Sequence, residues 1–340
     1  MTAHTDLTVD ANGEIHLDRV IELAFRGDWG QANLTRICGW LAQEVGDRVA
    51  AGSRFAIWSG RGSTDAPVAL AAREADVAAV TPAAAVPLMR SGAMLAGADP
   101  QPFLRALGRL PHRDRLVVAV DAGLPVHSVA DLASVADQLI IATCPDDGVN
   151  MVGFAAHAAL RLAGADPAAL VAAGARFDYD ERPFPGLQHF TAGTANVLIQ
   201  EAIMTPGWQR IAERRPVRYL DWGDDVFKGF AEHGWLDATV PAGYLPGLPH
   251  DLRALDFADF VLACRDDLDD DLAYLITWCM IRTRQALEAQ YAMLPADRSP
   301  LVIPIDPVEM ANTPIPLHPA AERAYRDVGS SVSADSVMWG

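Results

Sequence analysis

Lysine is almost missing from this chain: Lys228 is the only one in 340 residues, and every other basic side chain is arginine or histidine. That shortage removes Schiff-base and P-loop chemistry from every position but 228, and Lys228 itself follows an acidic turn and reads as a surface cation. Cysteine is scarce too. Cys38, Cys144, Cys264 and Cys279 form no CxxC pair and show no zinc-type spacing, so four buried free thiols are expected rather than disulfides or metal ligands. The histidines lack HxH, HxxxH or HExxH spacing, and no metal site is expected from them. No GxSxG elbow or Walker motif occurs, and SGRGST (59–64) lacks the third glycine and downstream acid of a dinucleotide fingerprint, so no cofactor is implied. Basic charge is outnumbered, with Lys+Arg 27 against Asp+Glu 44 and a formal net charge of -17. Such a surface repels phosphate backbones and excludes non-specific nucleic-acid binding. No run reaches the roughly 18 apolar residues of a membrane span. Residues 1–19 are polar and acidic, without the basic start and apolar run of a secretory signal. As written, the chain reads as soluble and cytoplasmic, not membrane-embedded.

Apolar residues, by contrast, are plentiful. At 51% hydrophobic, the chain can bury a large core, and its length suggests about two domains or two lobes of one fold. Ile21–Phe25, Arg54–Trp58 and Asp76–Val80 read as strands, separated by an amphipathic helix from Ala32 to Val45 and another from Asp65 to Glu74. That alternation is the grammar of a parallel, doubly wound sheet, whose sites lie at the carboxyl ends of strands. Arg115–Val120, Gln138–Thr143, Arg176–Tyr179, Ala195–Gln200 and Val217–Leu220 continue as strands, with a long helix from about Met151 to Ala163. Residues 254–264 and 270–290 are read as hydrophobic, helical material. The Pro-rich stretch 304–319 is expected to wrap over the surface without regular structure. The boundaries follow: a polar extension over 1–20, lobe one over 21–120 plus 226–340, and lobe two over 121–225.

ATVPAGYLPGLPHDLRALDFADFVLACRDDLDDDLAYLITWCM (238–280) and TPIPLHPAAERAYRD (313–327) carry a resemblance. They resemble the PAG-Y-PG segment, the acidic-Leu-acidic helix start and the closing P-LHPGA-YY motif of TAXI-type solute-binding proteins of TRAP transporters, with Ala320 in place of the usual glycine. VHSVADLASVADQLIIAT (126–143) and READVAAV (73–80) are similar to two further family segments. The resemblance implies an α/β, bilobal type 2 periplasmic-binding-protein fold with a ligand cleft between two doubly wound lobes. It implies a small-molecule ligand, an organic acid foremost, and TRAP membrane subunits as partners if the chain is exported, which would place it in the periplasm. Two features depart from the family: GDWGQAN (27–33) replaces its Gly-rich first loop, and no signal is seen. The wider superfamily includes cytosolic decarboxylases and lyases of small, often aromatic carboxylic acids, so an enzyme on the same scaffold stays open.

Candidate ligand contacts sit in the loops after strands. Asp28, Trp29 and Asn33 follow the first, with Trp29 as a stacking wall and Asp28 read either as a ligand contact or as a helix cap. Ser59, Arg61 and Ser63 belong to SGRGST, whose successive N–H groups ahead of a helix form an anion nest. Arg61 adds a bidentate partner for a carboxylate, or else is a solvated turn arginine. Thr81 ends the third strand. In lobe two, Asn150 is a polar contact at the start of a helix, and Asp146 and Asp147 bring negative charge unless one of them caps that helix. Tyr244 lies in PAGYLPG, which the resemblance places near the cleft. Glu201 follows a buried strand, with Met204 and Trp208 read as lining a pocket. Glu201 is read either as a general acid or base, with Asp147 as a second proton carrier if the chain is an enzyme, or as a clasp that pairs with an arginine such as Arg61.

Overall fold

The computed structural model describes residues 6–27, 33–60, 65–93 and 99–335. The chain divides into two compact units, the first from residues 1–92, 99–112 and 259–340 and the second from 93–98 and 113–258. Unit one begins with a hairpin, β1 (Leu7–Val9) and β2 (Ile15–Leu17), then β3 (Glu22–Arg26), α1 (Asn33–Gly46), β4 (Arg54–Trp58), α2 (Asp65–Ala71), β5 (Val77–Val80), α3 (Ala85–Ser91) and β6 (Leu104–Leu110). Unit two holds β7 (Arg115–Asp121), a 3-10 helix (Ala130–Gln138), β8 (Ile140–Thr143), α4 (Met151–Leu162), α5 (Pro167–Ala172), β9 (Arg176–Tyr179), α6 (Pro183–Ala192) and β10 (Val197–Gln200). It continues with α7 (Pro206–Arg214), β11 (Val217–Leu220), α8 (Asp224–Ala231), β12 (Asp237–Val240) and β13 (Leu252–Asp256). The chain then returns to unit one as β14 (Phe260–Arg265), α9 (Asp270–Arg282), α10 (Arg284–Ala289), α11 (Pro307–Ala311) and α12 (Pro319–Asp335).

Unit one's five-stranded sheet has the order β4-β3-β5-β14-β6. The first three strands run parallel, and β14 pairs antiparallel with both β5 and β6. A central strand covered on both faces should read as a continuous apolar run, and FVLAC of β14 is buried at every position. Unit two's sheet follows β12-β13-β7-β10-β8-β9, with β11 also on β7. There β8, β9 and β10 are parallel and β7 is antiparallel to β10.

The register fixes where the strand ends lie. In unit one Val80, the end of β5, pairs with Val261, and Phe260 pairs with Leu110, so the chain leaves and re-enters at the carboxyl ends of the parallel strands. In unit two Gln200, the end of β10, pairs with Val117, while Leu116 and Arg115 pair with Leu255 and Asp256. Here too the crossing segments attach at the carboxyl ends of the parallel strands.

Several expectations are corrected. Residues 254–256 and 260–264 belong to strands, because pairing with β7, β5 and β6 buries their apolar run inside the sheets; the helical pattern begins only at Asp270, where Asp269 caps α9 by accepting from Leu272 N–H at 3.0 Å. The second boundary falls at 258/259 rather than 225/226, since α8, β12 and β13 pack on unit two. The N-terminal stretch is not a bare extension: Ile15 and Leu17 of β2 enter the unit-one core. The Pro-rich stretch holds α11 and buries Ile305 and Met310. Ala320, at the family's glycine position, is fully buried in α12, and the neighbouring His318 N–H donates to Ala106 C=O at 2.8 Å, so this motif docks the last helix on β6. All four cysteines are buried free thiols.

Two predictions follow from packing and burial. A Cβ on Gly153, in the first turn of α4, would collide with the Pro145 carbonyl, which is backbone and cannot swing aside. Gly153→Ala should therefore cost at least about 1–3 kcal/mol, read as a lower urea midpoint at unchanged slope. His157 stands against Phe177 and Tyr179, and its Nε2 lies 3.2 Å from the Tyr179 hydroxyl. Burial holds His157 below its ordinary 6.5, with Asp146 and Asp166 opposing the shift and Arg161 adding to it. Burial lowers His318 in the same direction, against Asp270. The unfolded chain then binds protons that the folded chain does not, so stability is full above pH 6.5 and falls as the pH drops below it. Urea melts at pH 7.5, 6.5 and 5.5 test this, and His157→Gln should remove part of the loss.

Candidate functional site

Unit one's parallel strands end in Arg26, Trp58 and Val80. Arg26 Nη2 donates to Asp65 Oδ2 at 2.8 Å, and both side chains are largely covered. The approach depends on Gly60, where a Cβ would lie 2.8 Å and 2.9 Å from the two Asp65 oxygens. Asn33 opens α1, and its Oδ1 accepts from the Tyr291 hydroxyl at 3.1 Å. Tyr291 is buried under the Arg36 guanidinium, and burial pushes its hydroxyl pKa up. Ser59 is exposed and Thr81 half-buried at their strand ends. Trp58, 56% exposed on the edge strand, offers an aromatic surface to solvent at this end of the sheet. Asp28, Trp29, Arg61 and Ser63 lie outside the described residues.

Unit two's parallel strands end in Thr143, Tyr179 and Gln200. In the loop after β8, Asp147 Oδ1 accepts from the N–H groups of Val149 and Asn150, both at 3.0 Å. Asn150 is the N-cap of α4: its Oδ1 accepts from Val152 and Gly153 N–H, and its Nδ2 donates to Glu181 C=O at 3.0 Å. The alternative that one of the two aspartates caps the helix is thereby resolved. Asp147 closes the preceding turn, Asn150 caps, and Asp146 faces Arg161 at 3.7 Å and His157 at 4.0 Å. Cys144 is buried and accepts from Gln200 Nε2 at 3.1 Å. Burial pushes its thiol up to about 12, which leaves no thiolate for nucleophilic chemistry at neutral pH.

Glu201 is half-buried at the end of β10, and its carbonyl accepts from Trp208 Nε1 at 2.8 Å. Met204 and Trp208 are both buried, and Trp208, completely covered, belongs to the unit-two core. Their apolar bulk, read from sequence as a ligand surface, is used for packing. Tyr244 is half-buried against the same core, in the turn between β12 and β13. That turn abuts Val217 and Tyr219 of β11, beside the Asp121 end of β7, and so lies at the opposite end of the sheet from Gln200 and Glu201. The structure thus groups Asn33, Ser59 and Thr81 in unit one, groups Asp147, Asn150 and Glu201 in unit two, and sets Tyr244 apart.

Asp114 is the positioning residue that sequence reasoning missed. It is 1% exposed, and its carboxylate accepts from Arg115 N–H at 2.7 Å, Ala202 N–H at 2.8 Å and Ile203 N–H at 3.1 Å. Ala202 has φ 60, a left-handed conformation that costs a non-glycine residue about 1–2 kcal/mol. The Asp114 carboxylate holds that turn and with it Glu201. The signal was an acid, flanked by Arg113 and Arg115, directly before a buried strand, but nothing local marks its partners 88 and 89 residues away. Arg26 was missed because it stands where strand becomes loop. Residues able to hold a metal gather at the end of β9, where Asp178, Asp180 and His189 place donor atoms within 4.8 Å of one another.

Residues 185–329 match the NMT1-like family, a span that contains both the PAGYLPG and PLHPAAERAYR segments. No curated protein matches the chain by sequence. Among solved structures, XAC2383 from Xanthomonas citri bound to ATP is similar over 94% of this chain and 99% of its own, at 10% identity and TM-score 0.50. MatC from Rhodopseudomonas palustris with bound malate shares 14% identity over 92% of this chain and 97% of its own, at TM-score 0.49. The alkanesulfonate-binding protein SsuA from Xanthomonas axonopodis pv. citri bound to MOPS shares 14% identity over 95% and 96%, at TM-score 0.44. The fold class is α/β of the periplasmic-binding-protein type, as the resemblance implied. Among the described residues no helix is long and apolar enough to cross a membrane.

Replacing Asp114 should loosen the Glu201 turn. Asp114→Ala leaves three buried N–H groups without their acceptor, at about 2–4 kcal/mol in total. Asp114→Asn, which keeps one acceptor oxygen, should lose less. Urea denaturation of the two variants beside the parent measures the difference.

Proposed function

We propose that this chain is a receptor for a small organic acid, built like the TAXI-type solute-binding proteins and serving TRAP membrane subunits where it is exported. The observation that carries the reading is topological. In each unit, taken by itself, the loops with polar side chains sit at the carboxyl ends of the parallel strands, the end at which the two crossing segments attach. A hinge at such segments converts ligand contacts in both units into a shift between open and closed populations, which a partner reads. The match over residues 185–329 supports the family side of this reading.

The charge distribution favours one orientation of the ligand. Unit two's strand-end loops carry Asp146, Asp147, Glu181 and Glu201, which repel a carboxylate. The acid group therefore belongs with unit one, where Asn33, Ser59 and Thr81 offer polar atoms, Trp58 offers an apolar wall and Arg61 supplies the guanidinium. Asp28, Trp29 and Ser63 complete the proposed unit-one set. Glu201 takes the ligand's neutral or hydrogen-bond-donating end in unit two, while Asn150, whose side chain is used by the α4 cap and the Glu181 carbonyl, shapes the loop rather than touching the ligand. Tyr244 is not part of this ligand set.

A thermal-shift screen of small carboxylic acids, with sulfonates and amines for comparison, tests the reading. At least one carboxylate should raise Tm by several degrees, bind with a single site by calorimetry, and be recovered unchanged. Arg61→Gln should weaken it about tenfold or more, as expected for loss of a charge-assisted bidentate contact, while Glu201→Gln should change binding far less. Stabilisation by amines alone would overturn the organic-acid assignment. Turnover that disappears in Glu201→Gln would replace the receptor with the decarboxylase or lyase alternative.

A further inference from the structure

We propose that Asp178, Asp180 and His189 form a site for a first-row divalent cation, with Zn2+ as the best-fitting probe. The site is independent of the organic-acid reading. Asp178 belongs to β9 and Asp180 lies one residue beyond its end, two residues apart on nearly extended chain. Helix α6 brings His189 to this pair: its Nδ1 lies 2.6 Å from Asp178 Oδ2 and 3.7 Å from Asp180 Oδ2. Two carboxylates and one imidazole nitrogen are hard-to-borderline donors with no thiolate, a set suited to Zn2+ or Mn2+ and unsuited to Cu(I). Among the described residues this is the one group of three His, Cys, Asp or Glu side chains whose ligand atoms converge in this way.

The spacing of the three groups is close to what an ion needs. A tetrahedral ion with bonds of about 2.0–2.1 Å sets its ligand atoms roughly 3.3 Å apart. Two of the three separations, 2.6 Å and 3.7 Å, bracket that edge, and all three donor atoms lie within 4.8 Å of one another, so modest side-chain shifts would seat the cation. Charge gives a second, separate argument. His189 reaches one carboxylate directly, standing at hydrogen-bond distance from Asp178. Asp180 Oδ2 has no exposed surface and accepts no hydrogen bond. A divalent ion would compensate both acids at once. The scaffold is rigid where it needs to be: the His189 carbonyl accepts from the N–H groups of Gly193, Thr194 and Ala195 and from the Thr194 hydroxyl at the capped end of α6. Three protein ligands leave a position for water or a further ligand, and His189 and Asp178 are open enough to solvent for an ion to enter.

The test uses the full chain, stripped with EDTA and titrated with ZnCl2 by calorimetry, with MnCl2, CaCl2 and MgCl2 run alongside. The expected result is saturable binding of one Zn2+ per chain and a Tm rise on its addition. His189→Gln should weaken binding at least a hundredfold and Asp180→Asn at least tenfold, while His233→Gln, an exposed histidine elsewhere in unit two, should bind as the parent does. Substituting Co2+ should give the visible spectrum of a sulfur-free site. Circular dichroism of the metal-free variants checks their fold, and if His189→Gln is unfolded, Asp178→Asn and Asp180→Asn carry the comparison. No binding by the parent at millimolar metal, or binding that survives loss of His189 and Asp180, would overturn the assignment and leave these residues as a salt bridge.

Discussion

Strand β14 is an interior strand of unit one's sheet, hydrogen-bonded to β5 on one side and to the edge strand β6 on the other. Residues 260–265 therefore join strands that are complete by residue 110, and no sheet of this order exists until the chain has built unit two and returned. Each fully buried Val, Leu or Phe side chain in β14 contributes about 1.5–3 kcal/mol of burial. That gain is available only between the two partner strands. The same return places α9 and α12 beside one another over the unit-one core and lets Leu317 bridge to Ala106.

Antiparallel insertion has a geometric consequence for the site. Because β14 runs against β5, its first residue lies beside the last residue of β5, and the crossing must occur at the carboxyl ends of the parallel strands. In unit two, β7 runs against β10 with the same result. A carboxylate marks each unit at this point. Asp259, with φ 65, accepts from Arg109 at 2.8 Å and from His112 N–H at 2.9 Å, while Asp114 gathers the N–H groups of residues 115, 202 and 203. Left-handed turns at Asp259 and Ala202 are held by these acceptors, and they fix the direction in which the chain leaves each sheet.

Much of the parallel core was legible because its signal is local. Arg54–Trp58, Arg176–Tyr179 and Val217–Leu220 have the same limits in the sequence reading and in the structure. Their short apolar runs, bounded by turn residues, leave little choice of conformation. Residues 254–264 were misread because a short apolar run carries no periodicity that separates strand from buried helix; pairing with β7, β5 and β6 made them strands. The site was legible in part. Loops after parallel strands were located by a topological rule, which placed Asn33, Ser59, Thr81, Asp147, Asn150 and Glu201 at strand ends. What each side chain does there was not legible: Asn150 is used as a cap and Asp147 as a turn acceptor, and Trp208 belongs to the core.

The near-absence of lysine, the excess of acid and the lack of any CxxC or zinc-type cysteine spacing were determined by the sequence alone, since each is a property of composition and short-range spacing. They bound the chemistry to be expected without reference to any neighbour in space. The meeting of Asp114 with Ala202, of Arg26 with Asp65, and of His189 with Asp178 and Asp180 was decided by the tertiary structure. In each case an isolated charged residue carries no mark of its partner. Only strand register and helix packing set the distance between them, and electrostatic interaction depends on that distance and on burial rather than on position in the chain.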